Sequence, residues 1–119
     1  MYRFDYEPVL AKFLRLRALH CAEVPIVLDN LSKGLFSYML IGSSRKTARK
    51  LRDDMHTAWV SFAKTGNPNG NLELEWPRYD SEKRPTFIFN KESKLEMNPA
   101  EESYQVWKDI ELYICSAPP

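Results

Sequence analysis

The chain is poor in most of the features that announce a function, and each shortage removes a class of explanation. Its 119 residues hold two cysteines, Cys21 and Cys115, too few and too far apart for a disulfide framework or for the paired spacing of a zinc site. It has no excess of charge: 17 basic against 16 acidic residues leave a net charge of +1, which gives no reason to expect nucleic acid or an anionic membrane as partner. No apolar run approaches the roughly 20 residues that cross a bilayer. The opening Met1-Tyr2-Arg3-Phe4-Asp5 lacks the charged-then-apolar order of a secretory signal, so secretion is not indicated, and the two lone thiols make a reduced cytoplasm the expected setting. There is no internal repeat and no low-complexity segment. Histidine is scarce as well, so imidazole chemistry would rest on His20 or His56.

What is present is a series of amphipathic elements. Tyr2-Arg3-Phe4-Asp5-Tyr6 alternates aromatic and polar side chains, the period of a strand with one buried face, and Glu7-Pro8 ends it. From Val9 to Leu19 apolar residues mix with Lys12, Arg15 and Arg17 in no clear period, which reads as an exposed connection. Leu31 to Ile41 reads as a short helix, broken by Gly42-Ser43-Ser44, where either serine can cap the helix that follows. That next helix carries the clearest signal. Leu51, Met55, Ala58, Trp59, Phe62 and Ala63 form one apolar stripe at the helical period, and Gly66 with Asn67-Pro68-Asn69-Gly70 stops it in a turn.

The basic residues around the start of this helix, Arg45, Lys46, Arg49, Lys50 and Arg52, read as a solvated face or as a surface for an acidic partner. His56 reads as a boundary residue without chemistry. Glu75-Trp76-Pro77-Arg78-Tyr79 is irregular, its aromatics placed to pack as a lid over the helix end. Thr86-Phe89 and Lys94-Met97 read as a hairpin turning through Asn90 to Ser93. Asn98, Pro99 and Glu101 then announce a helix with Asn98 as N-cap and with Trp107, Ile110 and Ile114 on one face, before a frayed Ala117-Pro118-Pro119.

Function hangs on Leu19-His20-Cys21-Ala22-Glu23-Val24-Pro25. A neutral imidazole can take a proton from a hydroxyl and later return it, because its pKa lies near working pH. His20, in a connection between ordered elements, is thus a candidate general base; the alternative is a loop histidine that only hydrogen-bonds backbone. Cys21 beside it is a poor nucleophile candidate, since neighbouring side chains in an extended segment point apart and a nucleophile must reach its base. A metal site built from His20, Cys21, Glu23 and Asp29 would crowd its ligands in an order unlike zinc spacing.

Two blocks resemble a known family. His-x-x-Glu-Val-Pro-x-Val at residues 20–27, preceded by the aromatic strand, is similar to the histidine loop of the type-B carboxylesterases, the family that includes the cholinesterases. Ala58-Trp59-Val60-Ser61-Phe62-Ala63-Lys64-Thr65-Gly66-Asn67-Pro68-Asn69, then Trp76-Pro77-Arg78-Tyr79, is similar to that family's tryptophan helix and the motif after it. Within the family the likeness is to the bacterial para-nitrobenzyl esterases, and it spans nearly the whole chain. The resemblance implies an α/β fold, with residues 1–119 forming a single partial domain: the C-terminal part of an α/β-hydrolase, a few strands of an incomplete sheet with covering helices. It implies His20 as general base and Glu23 as a supporting acid of the site. Cys21 stands where the family more often has glycine or alanine, and Leu28 where it more often has phenylalanine.

An esterase of this kind also needs a serine on a sharp strand-to-helix turn, an acid to orient the histidine, and N–H donors for the oxyanion. In the α/β-hydrolase order serine and acid precede the histidine. No Gly-x-Ser-x-Gly and no His-Gly-Gly occur in this sequence, and Ser43-Ser44 follows a single glycine and comes after the histidine. The expectation is therefore a chain inactive alone, acting on a small ester only together with the upstream part, and calling for neither cofactor nor metal. Stripped of that part, it should expose apolar surface and self-associate. The rival reading is a non-enzymatic dimerisation or interaction module derived from an esterase tail.

Overall fold

A computed structural model describes residues 1–31, 43–70 and 72–108. In chain order these form β1 (Tyr2–Phe4), α1 (Val9–Phe13), α2 (Val24–Val27), α3 (Arg45–Thr65), β2 (Pro85–Phe89), β3 (Lys94–Met97) and α4 (Glu101–Trp107). The three strands make one mixed sheet in the order β1-β2-β3. β1 runs parallel to β2, with Tyr2 opposite Phe87 and Phe4 opposite Phe89. β3 is antiparallel to β2, with Phe87 opposite Leu95. A parallel pair needs a long crossover, and α1, α2 and α3 lie in the connection from β1 to β2. β2 is central, and each of its five residues is buried. Its Pro85 opens the strand, a position where the missing N–H disturbs no ladder bond.

α3 is the element on which the core is built. Ser44 caps it by accepting a hydrogen bond from the Thr47 N–H, and Gly66 ends it in the left-handed conformation at φ 73°, where its N–H meets the Phe62 carbonyl. Leu51, Met55 and Ala58 of its stripe are buried. Leu51 and Met55 join Tyr6, Ala22, Ile26, Phe87 and Phe89 in the hydrophobic core, so α3 packs between the sheet and α2. The stripe stops being covered beyond Trp59: Phe62 is 58% exposed, and Ala63 is exposed too.

In the stretch after α3, Trp76 is half-buried against the core and against the end of α3, while Tyr79 is exposed. Trp76 packs on Phe87, Phe89 and Trp59 with ring centroids 5.3, 5.6 and 6.0 Å apart, and its Nε1 donates to the Met1 carbonyl at 3.0 Å. Asn69 fixes its backbone from both sides: Oδ1 accepts from the Trp76 N–H at 2.7 Å and Nδ2 donates to the Trp76 carbonyl at 2.9 Å. A turn asparagine thus holds an aromatic anchor against the sheet.

Two local expectations change. Val9–Phe13 is a helix instead of an open connection, with Ala11 fully buried; five residues are too few for a helical period to show in sequence. Asn98 is not the N-cap of α4, a place taken by Ala100. Asn98 has φ 54° and its N–H continues the sheet by donating to the Arg84 carbonyl at 3.2 Å, while its side chain donates to Glu101. Trp107 is 65% exposed; Ile110, Ile114, the terminal tail and the helix expected from Leu31 to Ile41 lie, Leu31 apart, outside the described residues.

Candidate active-site turn

His20 lies in a turn that runs directly into α2, and its side chain is exposed. The backbone from Leu19 to Asn30 is bonded as one small body. Ala22 N–H donates to the Leu19 carbonyl, Val24 N–H to Cys21, Ile26 and Val27 N–H to Glu23, and Leu28 N–H to Val24, at 2.9 to 3.2 Å. Pro25 sits in the first turn of α2, where its absent N–H would have no partner in any case. The body is held down by Ala22 and Ile26, both buried in the core against α3 and the sheet.

The C-terminal end of α2 is closed by a Schellman motif. Asn30 N–H donates to the Pro25 carbonyl at 2.7 Å and Asp29 N–H to the Ile26 carbonyl at 3.2 Å, with Asp29 left-handed at φ 52°. The Val27 carbonyl is met from another helix: His56 Nδ1 of α3 stands 2.8 Å away. A carbonyl can only accept, so that nitrogen carries the proton. Arg52, one turn earlier on α3, donates from its guanidinium to the Asp29 carboxylate at 2.6 Å. That hydrogen bond, with Coulombic help from Arg52 and His56, holds the Asp29 carboxyl below its usual range.

Glu23 shares the turn with His20 and begins α2 half-buried, without a side-chain bond to the helix N–H groups. Its charge reaches the aromatic end of β1: burial first, and the Glu23 carboxylate second, lift the Tyr2 phenol above its ordinary pKa. Cys21, between the two, is exposed and left-handed at φ 61°, a conformation that suits glycine. Among the described residues no group of three or more His, Cys, Asp or Glu side chains is placed to hold a metal ion. No helix among them is long and apolar enough to cross a membrane.

A half-open groove of about 790 Å³ lies elsewhere, lined in part by Tyr2, Trp59, Phe62, Trp76, Pro77 and Tyr79. His20 and Glu23 do not line it. Reasoning from sequence missed the parts of Arg52 and His56. Their i, i+4 spacing put them on one helix face, but their partners, a backbone carbonyl and a residue 23 positions away, leave no mark in a pattern.

The comparisons with known proteins agree with this architecture. Residues 1–107 match the model of the carboxylesterase family. The chain is 36% identical over 105 residues to the para-nitrobenzyl esterase of Bacillus subtilis (strain 168), covering 88% of this chain and 20% of that protein. It is 37% identical over 81 residues to the fumonisin B1 esterase of Sphingopyxis macrogoltabida, covering 66% of this chain and 14% of that protein. A crystal structure of a Geobacillus stearothermophilus carboxylesterase at pH 6.2 superposes with a TM-score of 0.74 at 38% identity, over 90% of this chain and 21% of that one. The chain thus spans about a fifth of the length of the para-nitrobenzyl esterase.

Proposed function

The chain belongs to the carboxylesterase family, and from that premise we propose that it is the C-terminal portion of a serine carboxylesterase, supplying His20 as the general base of carboxylic ester hydrolysis. The observation that supports this most is the geometry of the turn: an exposed imidazole on a backbone bonded from Leu19 to Asn30 and docked through Ile26 into the core. A base must be held still and yet be reachable, and this turn provides both.

In the proposed reaction the imidazole of His20 removes the proton of a serine hydroxyl as the serine oxygen attacks the ester carbonyl. The proton then passes to the departing alkoxide, which leaves as alcohol. In the second half His20 takes a proton from water as the water oxygen attacks the acyl carbonyl; the serine oxygen then leaves, takes that proton back from His20, and the acyl group departs as the carboxylic acid. The serine, the orienting acid and the oxyanion donors come from outside these 119 residues. The chain alone is therefore inactive. Glu23 supports the site through its charge and is not the orienting acid. Two thiols in no framework fit a cytoplasmic enzyme.

The test is complementation. This chain joined to the upstream four-fifths of the Bacillus subtilis para-nitrobenzyl esterase should hydrolyse a p-nitrophenyl ester, and His20→Ala in that chimera should lower kcat by about three orders of magnitude or more. If His20→Ala turns over as fast as the unaltered chimera, the base has been misassigned.

One observation favours a second property of the isolated chain. Phe13, Leu14 and Leu16 lie exposed in sequence neighbourhood, with Phe13 81% accessible, and Phe62 and Trp107 are uncovered elsewhere. Uncovered apolar side chains of this size drive association, so the 119-residue chain by itself should pair with a second copy.

A further inference from the structure

We propose that Arg52 and His56 are positioning residues for His20: from one face of α3 they grip the C-terminal end of α2 and so set where the His20 turn holds its imidazole. The inference rests on the reading of His20 as general base. It concerns residues that the sequence placed on a solvated face and a helix boundary, and to which the resemblance gave no role.

The reasoning starts from the size of α2. Four residues form a single turn, which has no stability of its own, because the nucleating bonds cost more order than they return. Its place must come from outside. Apolar contact supplies part of it through Ala22 and Ile26, but such contact is non-directional and tolerates sliding and rotation. Directional bonds are what fix an angle. Of the last four carbonyls of α2, Val24 is met by the Leu28 N–H, Pro25 by Asn30 and Ile26 by Asp29, all from the same short segment. These bonds shape the segment but tie it to nothing else. Val27 is the exception, bonded across to His56 Nδ1 at 2.8 Å.

Asp29 adds the second point of attachment. The Schellman turn places it left-handed just past the helix, and its carboxylate meets Arg52 at 2.6 Å. Arg52 and His56 are four residues apart, so the two grips sit one above the other on α3. Two separated attachment points to one rigid helix remove the rotation that a single point would allow. Because Leu19 to Asn30 is bonded continuously, a rotation stopped at Val27 and Asp29 is also stopped at His20. A general base must hold its geometry to well under 1 Å, since a displacement of about 1 Å costs on the order of 100-fold in rate.

Two readouts test this, and they fail separately. In the 119-residue chain, amide hydrogen exchange should quicken about tenfold or more at Ala22 and Val24 in His56→Ala, although both lie at or before the N-terminal end of α2 and the lost bond is at its C-terminal end. His56→Gln, whose amide can donate to the same carbonyl, should restore slow exchange. Asp29→Asn, which keeps the turn but weakens the second grip, should quicken it less. In the chimera, His56→Ala should lower kcat about tenfold with KM within about twofold, and His56→Gln should recover most of it. Exchange confined to Leu28 and its neighbours, or a kcat unchanged while Ala22 and Val24 exchange faster, overturns the positioning role. An inactive chimera with the unaltered chain counts against the esterase reading alone, and the exchange at Ala22 and Val24 then decides whether α3 holds the turn.

Discussion

Cys21 shows what one residue can cost. At φ 61° its Cβ crowds the backbone, a strain of about 1 kcal/mol or more for a non-glycine residue in this region. Nothing in the turn uses the thiol, which is exposed. Cys21→Gly should therefore raise stability by up to about 1 kcal/mol, the relief being partly offset by the greater freedom of glycine in the unfolded chain; urea unfolding followed by tryptophan fluorescence would read it, and a loss of stability would mean the side chain is in use. Asp29 is left-handed too, but its carboxylate is engaged. Its pKa is lowered in the folded chain, chiefly by the Arg52 hydrogen bond. The sign follows: the ion pair stabilises above the ordinary aspartate pKa of about 3.9 and is lost as the pH falls through the lower folded value. Wild type should melt above Asp29→Asn at pH 7, and that lead should close as the pH is taken below about 4. A lead that persists in acid would show that the stabilisation is not electrostatic.

At the scale of elements, the long helix, the hairpin and the first strand were legible, and the one-turn α1 was not. α3 showed itself because 21 residues give the apolar stripe room to repeat and because Ser44 and Gly66 mark its ends. β2 and β3 showed themselves through Thr86–Phe89 and a polar turn. The one-turn α1 gave no period to read, and Asn98 had the composition of a cap while its N–H was committed to Arg84 across the sheet. Among the candidate site residues, His20 and Glu23 stand out in sequence through the motif that resembles the family's histidine loop. Arg52 and His56 do not, because a bond from a side chain to a distant carbonyl has no sequence signature. Trp76 was visible as an aromatic but not as an anchor, a role that depends on two bonds from Asn69. Asn69→Ala leaves both backbone groups of a half-buried Trp76 without these partners. It should cost about 2 kcal/mol, read by thermal unfolding, together with a red shift of tryptophan emission. A cost below about 0.5 kcal/mol would mean that water replaces the asparagine without penalty.

The whole molecule is an α/β core that looks unfinished. β1 sits at one edge of a three-stranded sheet, and the apolar stripe of α3 runs on past its cover to Phe62. Small domains have little stability to spare, and uncovered faces of this kind are relieved by contact with another chain. Sedimentation velocity of the isolated 119-residue chain at micromolar concentration should show dimers or larger species, and Phe13→Glu should shift the distribution toward monomer; a monodisperse monomer would contradict the account of these surfaces. In an entire esterase the same surfaces would be covered from within. The central claim, that these residues are the histidine-bearing portion of a larger esterase, is tested most directly by the mass of the native product in the source cells, read by immunoblot with an antibody raised against this chain. A band several-fold larger than 13.9 kDa is the expected result, with His20 as its working base. A band at 13.9 kDa alone would contradict it and leave a chain that associates but does not hydrolyse.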